Sequence, residues 1–382
     1  MLRFPCLGGL LIVSLLAGIV RGEGEWETTR ESERALARGL EWLAHAENQG
    51  REGNWESNDL GLVSLGALAF MADGHRPGQS HHGLACKRAL DYVLRKARRE
   101  SGLLNIADPQ RDLYNHGLST FVLGQAYGMY RDEQIGGTLD RALRLIAMTQ
   151  CRDGGWDYRA RSQERGHDLS LAVMQAKALR SAVDSGFDVP REVIDQAIKS
   201  VREHHTPKGA SHNAPEDEQR KRPGQFTYTK GGGGGTVAMA AAGVVCLQEF
   251  GQYDDWRIAK NMDYIAEQVK KVERRRRRGS GQVPFDAYTL YYVGQALYQV
   301  GGRHWRECYP ILRDQLVTMQ INDTKDPKRN GSWQDGGRVG GKPGELFGTA
   351  VACFILAIPN RYLPILQEGK IESFSDQSKK EP

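Results

Sequence analysis

Three stretches of this sequence bring together side chains that can move protons. Tyr114-Asn115-His116 sets an imidazole beside a phenol and an amide. His167-Asp168 pairs an imidazole with a carboxylate. Asp286 precedes Tyr288, Tyr291 and Tyr292. A carboxylate that orients a histidine can support general acid–base chemistry, and two carboxylates flanking a groove can hydrolyse a glycosidic bond. A lyase needs a base and a group that neutralises charge, which His116, Asp168, Asp286 and the tyrosines could also supply. No Cys-x2-Cys pair occurs, so a zinc-ribbon reading fails; neither metal nor other cofactor is expected. Each stretch also has a plainer role. Asp168 and Asp286 stand where a helix needs an N-cap, His116 suits a hydrogen-bonded core position, and Tyr288 and Tyr292 can simply pack.

The elements that must position these residues are helices in a repeating plan. Similar helix openings fall at Gly39, Ala89, Ala142, Ala197, Met262 and Leu312, spaced 50, 53, 55, 65 and 50 residues apart. Each opening belongs to an amphipathic helix with apolar residues at i, i+3 and i+4, such as Leu40, Leu43 and Ala44. A second helix follows in each unit, at 60–71, 117–129, 169–183, 236–250, 287–300 and 349–358, apolar nearly all round and therefore buried on most sides. Between the two lies a turn. Gln49, Gly53 and Trp55 share the spacing Gln-x3-Gly-x-Trp with Gln150, Gly154 and Trp156. Gly331 and Trp333 repeat its end, with Gln320 displaced upstream, and Gly224-Gln225-Phe226 is a fainter copy. Six such pairs without a polar capping repeat predict a closed all-α ring, an α6–α6 toroid of inner and outer helices over residues 23–366.

Length and composition agree with one large globular domain: 382 residues, 40% hydrophobic and 26% charged. Residues 1–22 begin with Arg3 and continue in a short apolar run, the pattern of a secretory signal peptide, so the mature chain is expected to be exported, periplasmic or extracellular. Without Arg3 and Arg21 the net charge drops from +5 to +3, which is no footprint of nucleic-acid binding. Five cysteines then remain, an odd number in apolar helical patterns, so buried thiols are expected rather than a disulfide scaffold. Residues 205–230 are a polar insertion leading into Gly231–Gly235, a flexible loop or a lid hinge. Arg274–Arg278 predict a solvated loop, with peripheral membrane contact as a second reading. Residues 367–382 predict a disordered tail.

The turn motif and the unit Gly154-Gly155-Trp156-Asp157-Tyr158, followed by Asp168-Leu169-Ser170-Leu171, resemble the repeats of the squalene cyclase and protein prenyltransferase β-subunit superfamily. Tyr114-Asn115-His116-Gly117 is similar to secreted bacterial members. The resemblance implies an α/α toroid around a central apolar cavity. The proton-donating acid cluster of the cyclases is reduced here to Arg165-Gly166-His167-Asp168, with one carboxylate. The zinc site of the prenyltransferases maps to Asp286-Ala287-Tyr288 and Phe347-Gly348-Thr349, where Tyr288 and Gly348 replace the cysteine and the histidine. No thioester string occurs. The expected function is accordingly a toroid that binds an apolar or amphipathic small molecule, or a partner protein, at its mouth, where Tyr114, Asn115, His116, His167, Asp168, Asp286, Tyr288 and Tyr292 converge. If it is an enzyme, the resemblance implies cyclase- or prenyltransferase-like isoprenoid chemistry. The alternative is a glycan-active enzyme, a glycosidase or polysaccharide lyase, on an α/α barrel.

Overall fold

The computed structural model describes residues 26–209, 211, 214–232, 235–279, 285–326, 328–334 and 344–366. The signal peptide expected at 1–22 and the tail expected at 367–382 lie outside the described residues, as do Gly233 and Gly234 of the glycine run.

The described residues are mostly helical. In order it forms α1 (Arg30–Ala44), a single turn α2 (Ala46–Gln49), α3 (Leu60–Ala72), α4 (Ser80–Lys96), α5 (Asp112–Met129), α6 (Glu133–Thr149), α7 (Leu169–Asp184) and α8 (Arg191–Glu203). Then come α9 (Glu216–Lys221), α10 (Val237–Glu249), α11 (Trp256–Arg277), α12 (Ala287–Val300), α13 (Gly302–Met319) and α14 (Glu345–Ala357). Two short strands, β1 (His205–Pro207) and β2 (Gly224–Phe226), pair antiparallel with His205 opposite Phe226 and flank the insertion that carries α9. Caps explain many of the helix starts. Thr29 and Ser32 form a capping box on α1, and Asp59, Asp132, Asp168, Thr236, Asp255 and Asp286 each accept from the first turn of the helix they open.

The ring is closed. Helix α3 packs on α5, α5 on α7, α7 on α10, α10 on α12, α12 on α14, and α14 back on α3. These six inner helices bury almost every side chain: Leu60 to Ala72 of α3 is buried except at Leu62. The outer helices α1, α4, α6, α8, α11 and α13 bury one stripe each. Fully burying a Leu or Phe is worth about 1.5–3 kcal/mol, so the apolar contrast between the two sets decides which goes inside. All five described cysteines are buried thiols. The arginine run differs from expectation: Arg274–Arg277 form the last turn of α11, where cations complement the helix dipole. Arg276 and Arg277 there pair with Glu273 at 2.8 and 2.6 Å.

The repeated turns join neighbouring units. In each, the glutamine amide donates to a backbone carbonyl of the next outer helix: Gln49 to Ala85, Gln150 to Val193 and Gln320 to Ala35, at 2.7, 2.9 and 2.8 Å. The indole N–H donates back to the preceding outer helix, Trp55 to Leu43, Trp156 to Ile146 and Trp333 to Leu316, at 3.1, 2.9 and 2.7 Å. The glycine has positive φ, 82°, 81° and 93° at Gly53, Gly154 and Gly331, and sits against that next helix. A Cβ on Gly154 would stand 2.1 Å from the Gln196 carbonyl oxygen. Gln320 therefore bonds the last unit to the first, and Arg38 of α1 donates to its side-chain oxygen. Glu27, which accepts from Trp305 at 2.6 Å and Arg361 at 3.0 Å, draws the N-terminal segment into the same seam.

One end of the inner barrel is plugged. The 3-10 turn Pro364–Leu366 packs on α5 and α7. Ile365 N donates to Gln125 at 3.0 Å, and Tyr298 donates to the Leu366 carbonyl at 2.6 Å. Gln125 and Tyr298 lie near the C-terminal ends of their helices, so the opposite, N-terminal ends form the mouth.

Candidate active site at the barrel mouth

Asp168 is the centre of the mouth. As the cap of α7 its Oδ1 accepts from Ser170 N, Ser170 Oγ and Leu171 N at 2.9, 2.5 and 3.3 Å. Its Oδ2 accepts from Tyr158 Oη at 2.6 Å and lies 3.4 Å from His167 Nδ1. Tyr158 Oη is 2.5 Å from Tyr228 Oη, which is exposed. The chain Asp168–Tyr158–Tyr228 thus runs from a buried carboxylate to the surface. Burial first, then the Asp168 charge, push the Tyr158 hydroxyl well above the ordinary phenol range, so it stays protonated and donates. His167 is half exposed, its ring edge-on to Tyr158 at 4.7 Å, and its Nε2 makes no hydrogen bond among the described residues.

The loop that delivers these groups is the one carrying the Trp156 staple. His167 N donates to the Trp156 carbonyl at 2.8 Å, Leu113 N to the Tyr158 carbonyl at 3.0 Å, and Leu169 N to the Tyr228 carbonyl at 3.0 Å. The turn, the start of α5 and the strand insertion are therefore knitted by backbone bonds around Asp168.

Three more tyrosines face this group. Tyr288 and Tyr292, one turn apart on α12, meet edge to face at 4.9 Å. Tyr114 of α5 lies close to both, and close to Asp59 and Asp168: burial first, with smaller contributions from these two carboxylates, raises its hydroxyl. Burial first, then Tyr114 and Asp168, raise Tyr288, which also neighbours Ser170. Tyr292 Oη is fully buried without a well-formed hydrogen bond, although a buried hydroxyl normally finds one. Asp59, the cap of α3, accepts from Leu62 N at 3.2 Å and pairs with Arg111 at 3.2 Å. The starts of α3, α5, α7 and α12 thus converge.

Of the residues singled out from sequence, Tyr114, His167, Asp168, Tyr288 and Tyr292 come together here. His116 does not join them: it is fully buried, its Nδ1 accepting from Leu104 N at 3.1 Å and its Nε2 3.0 Å from the Ala142 carbonyl of α6. Asn115 donates to Asn105 Oδ1 at 3.0 Å, and Gly61 of α3 passes so close that a Cβ there would be 2.8 Å from its Oδ1. Asp286 caps α12, accepting from Thr289 N at 2.8 Å. Asp59, Arg111, Tyr158, Ser170 and Tyr228 were missed. Asp59 carried a signal, an aspartate one residue before an apolar inner helix, as at Asp168 and Asp286. Among the described residues the one His, Cys, Asp and Glu group with metal-ligand spacing is Glu41, His81 and His82, on the outer wall rather than at the mouth.

The sequence matches no protein-family model and no curated protein. Solved structures share the fold. The GH76A α-1,6-mannanase from Salegentibacter sp. HEL1_6 aligns with a TM-score of 0.52 at 10% identity, over 87% of this chain and 98% of its own. An inactive variant of that enzyme was solved in complex with α-1,6-mannotriose. A sugar epimerase from a ruminal bacterium aligns at 0.54 and 11% identity, over 86% and 97%. An unsaturated glucuronyl hydrolase specific for heparin aligns at 0.54 and 11%, over 85% and 96%. At such identities the likeness defines the class of fold, an α/α toroid.

These neighbours correct the squalene cyclase and prenyltransferase reading, because they are glycan-active enzymes. The expected apolar or amphipathic ligand or partner protein at the mouth is corrected with it, as is cyclase- or prenyltransferase-like chemistry for the enzyme. The physical reason lies in the turn motif. Its glutamine amides and indoles bond backbone carbonyls between repeats, so it reports ring closure and not chemistry.

Proposed function

We propose that this chain is a glycan-active enzyme that cleaves a glycosidic bond at the mouth of the toroid. One observation carries the reading: two carboxylates, Asp59 capping α3 and Asp168 capping α7, stand at the N-terminal end of a barrel plugged at the other. Glycoside hydrolysis needs such a pair, one group protonating the leaving oxygen and the other assisting water or attacking the sugar. Asp168, with His167 against it, and Asp59, paired with Arg111, are the two candidate groups. Water adds to the anomeric carbon and gives its proton to one of these groups, while the leaving oxygen takes a proton from the other. Tyr114 and Tyr288, held protonated, are donors for sugar hydroxyls, and their rings offer apolar faces to a pyranose. The solved mannanase, epimerase and glucuronyl hydrolase support a saccharide as ligand. Export fits this reading, since a leader at 1–22 would bring the enzyme to glycans outside the cytoplasm.

The test is a panel of α-1,6-mannooligosaccharides, heparin-derived unsaturated oligosaccharides and other oligosaccharides, with products read by mass spectrometry as the gain of one water. At least one class should turn over, with Asp168→Asn slower by roughly 10²–10⁴-fold. Asparagine still caps α7, so circular dichroism should show an intact fold. A folded protein that neither binds nor cleaves any member of the panel would refute the proposal.

A further inference from the structure

We infer that the outer wall carries a divalent transition-metal site built from Glu41, His81 and His82. Glu41 lies in α1; His81 and His82 are consecutive in the first turn of α4. One ligand atom from each of the three lies within 4.8 Å of the others. Glu41 holds the two imidazoles apart by its own two oxygens: Oε2 is 3.3 Å from His82 Nε2, and Oε1 is 3.8 Å from His81 Nε2. Ligand atoms around a tetrahedral ion with bonds of about 2.0–2.1 Å stand about 3.4 Å apart. Glu41 and His81 are exposed, so side-chain rotation alone closes the remaining gap.

Behind the ligands is a second layer of the kind metal-bound histidines use. His82 Nδ1 is 3.1 Å from His75 Nε2, so a proton on Nδ1 leaves Nε2 with its lone pair toward Glu41 and His81. Asp73 Oδ2 stands 3.3 Å from the same His75 nitrogen, so that nitrogen either accepts from His82 or carries a proton toward Asp73, and an ion on His82 Nε2 selects the first. The His82 ring stacks on Phe70 at 5.8 Å, which fixes its plane. Two imidazoles and a carboxylate with no thiolate suit zinc or a neighbouring first-row divalent ion, and leave a fourth position for water. Phe70 lies ten residues along α3 from the mouth end, about 15 Å, so the ion has no part in the proposed hydrolysis. It would clip α1 to α4, two successive outer helices.

The experiment is equilibrium dialysis of the full chain, with any affinity tag removed, against Zn²⁺, and visible absorption with Co²⁺. Wild type should bind one ion and give the intense spectrum of four-coordinate cobalt. Binding should be lost in His81→Ala/His82→Ala, and weakened at least about tenfold in Glu41→Gln and in His75→Gln, the latter by loss of the supporting nitrogen. Wild type should also melt higher with zinc than without, and the double variant should not. If wild type takes up no more zinc than the double variant, the site does not exist. If Glu41→Gln and His75→Gln both bind like wild type, adventitious histidine binding replaces the proposed geometry.

Discussion

The staples of the toroid wall and the groups at its mouth treat hydrogen bonding in opposite ways. In the wall every staple is satisfied. Gln150 donates to the Gly154 and Val193 carbonyls, Trp156 to Ile146, and the ring is buried. At the mouth, Tyr292 keeps a buried hydroxyl without a good partner, and His167 keeps Nε2 unbonded among the described residues. Satisfied groups stabilise; groups held in reserve are what a polar ligand completes. The difference separates residues that hold the ring from residues that could act on a substrate, although both lie on the same 150–170 loop.

Acid should break the wall first. Burial holds His116, His204 and His205 each down to about 4, against 6.5 ordinarily. Between those values the unfolded chain binds more protons than the folded one, so unfolding free energy is level above about pH 6.5 and falls as pH drops toward 4. The limit is roughly 3 kcal/mol for each histidine. Chemical denaturation across pH should show this decline, and His116→Gln should make it shallower; a flat profile contradicts neutral burial.

Removing one plug comes next. Trp156→Ala should cost about 3–5 kcal/mol in urea unfolding, and an effect below about 1 kcal/mol would deny the staple its role. Gln320→Ala should cost about 1–3 kcal/mol, because it leaves the Ala35 and Gly331 carbonyls of the closing seam without their donor.

The smallest effect sharpens the contrast most. Tyr292→Phe should change stability by no more than about 0.5 kcal/mol, or raise it, because the hydroxyl it removes has only poorly aligned tyrosine partners. It should nevertheless weaken binding of whichever oligosaccharide the enzyme takes. A clear loss of stability would mean that Tyr292 belongs to the wall.

Much of the wall was legible in the sequence. The unit spacing, the buried inner helices and the Gln-Gly-Trp turns each follow from local pattern, and the closed ring follows from them. The second unit hid its copy: Gly102 has φ 75° and packs on the Arg141 carbonyl as Gly154 packs on Gln196, but Arg98 and Leu104 stand where Gln and Trp would be. The mouth was half legible. Asp168, Tyr114, Tyr288 and Tyr292 were found because they open inner helices. Tyr228 was not, since only the fold of the strand insertion brings it to Tyr158, and Asp59 was passed over although it caps α3 as Asp168 caps α7. His116 was placed at the mouth by its position in the chain, yet the turn of α5 directs it into the wall. The family resemblance misled because it rested on staples, which the fold needs whatever its chemistry.

The most direct test is a crystal structure with an oligosaccharide from the class that the panel selects. The account predicts a sugar ring at the mouth, against Tyr114 and Tyr288, with its scissile oxygen between Asp59 and Asp168. A saccharide bound elsewhere on the toroid, with the Asp168 cluster left in contact with solvent alone, would contradict it.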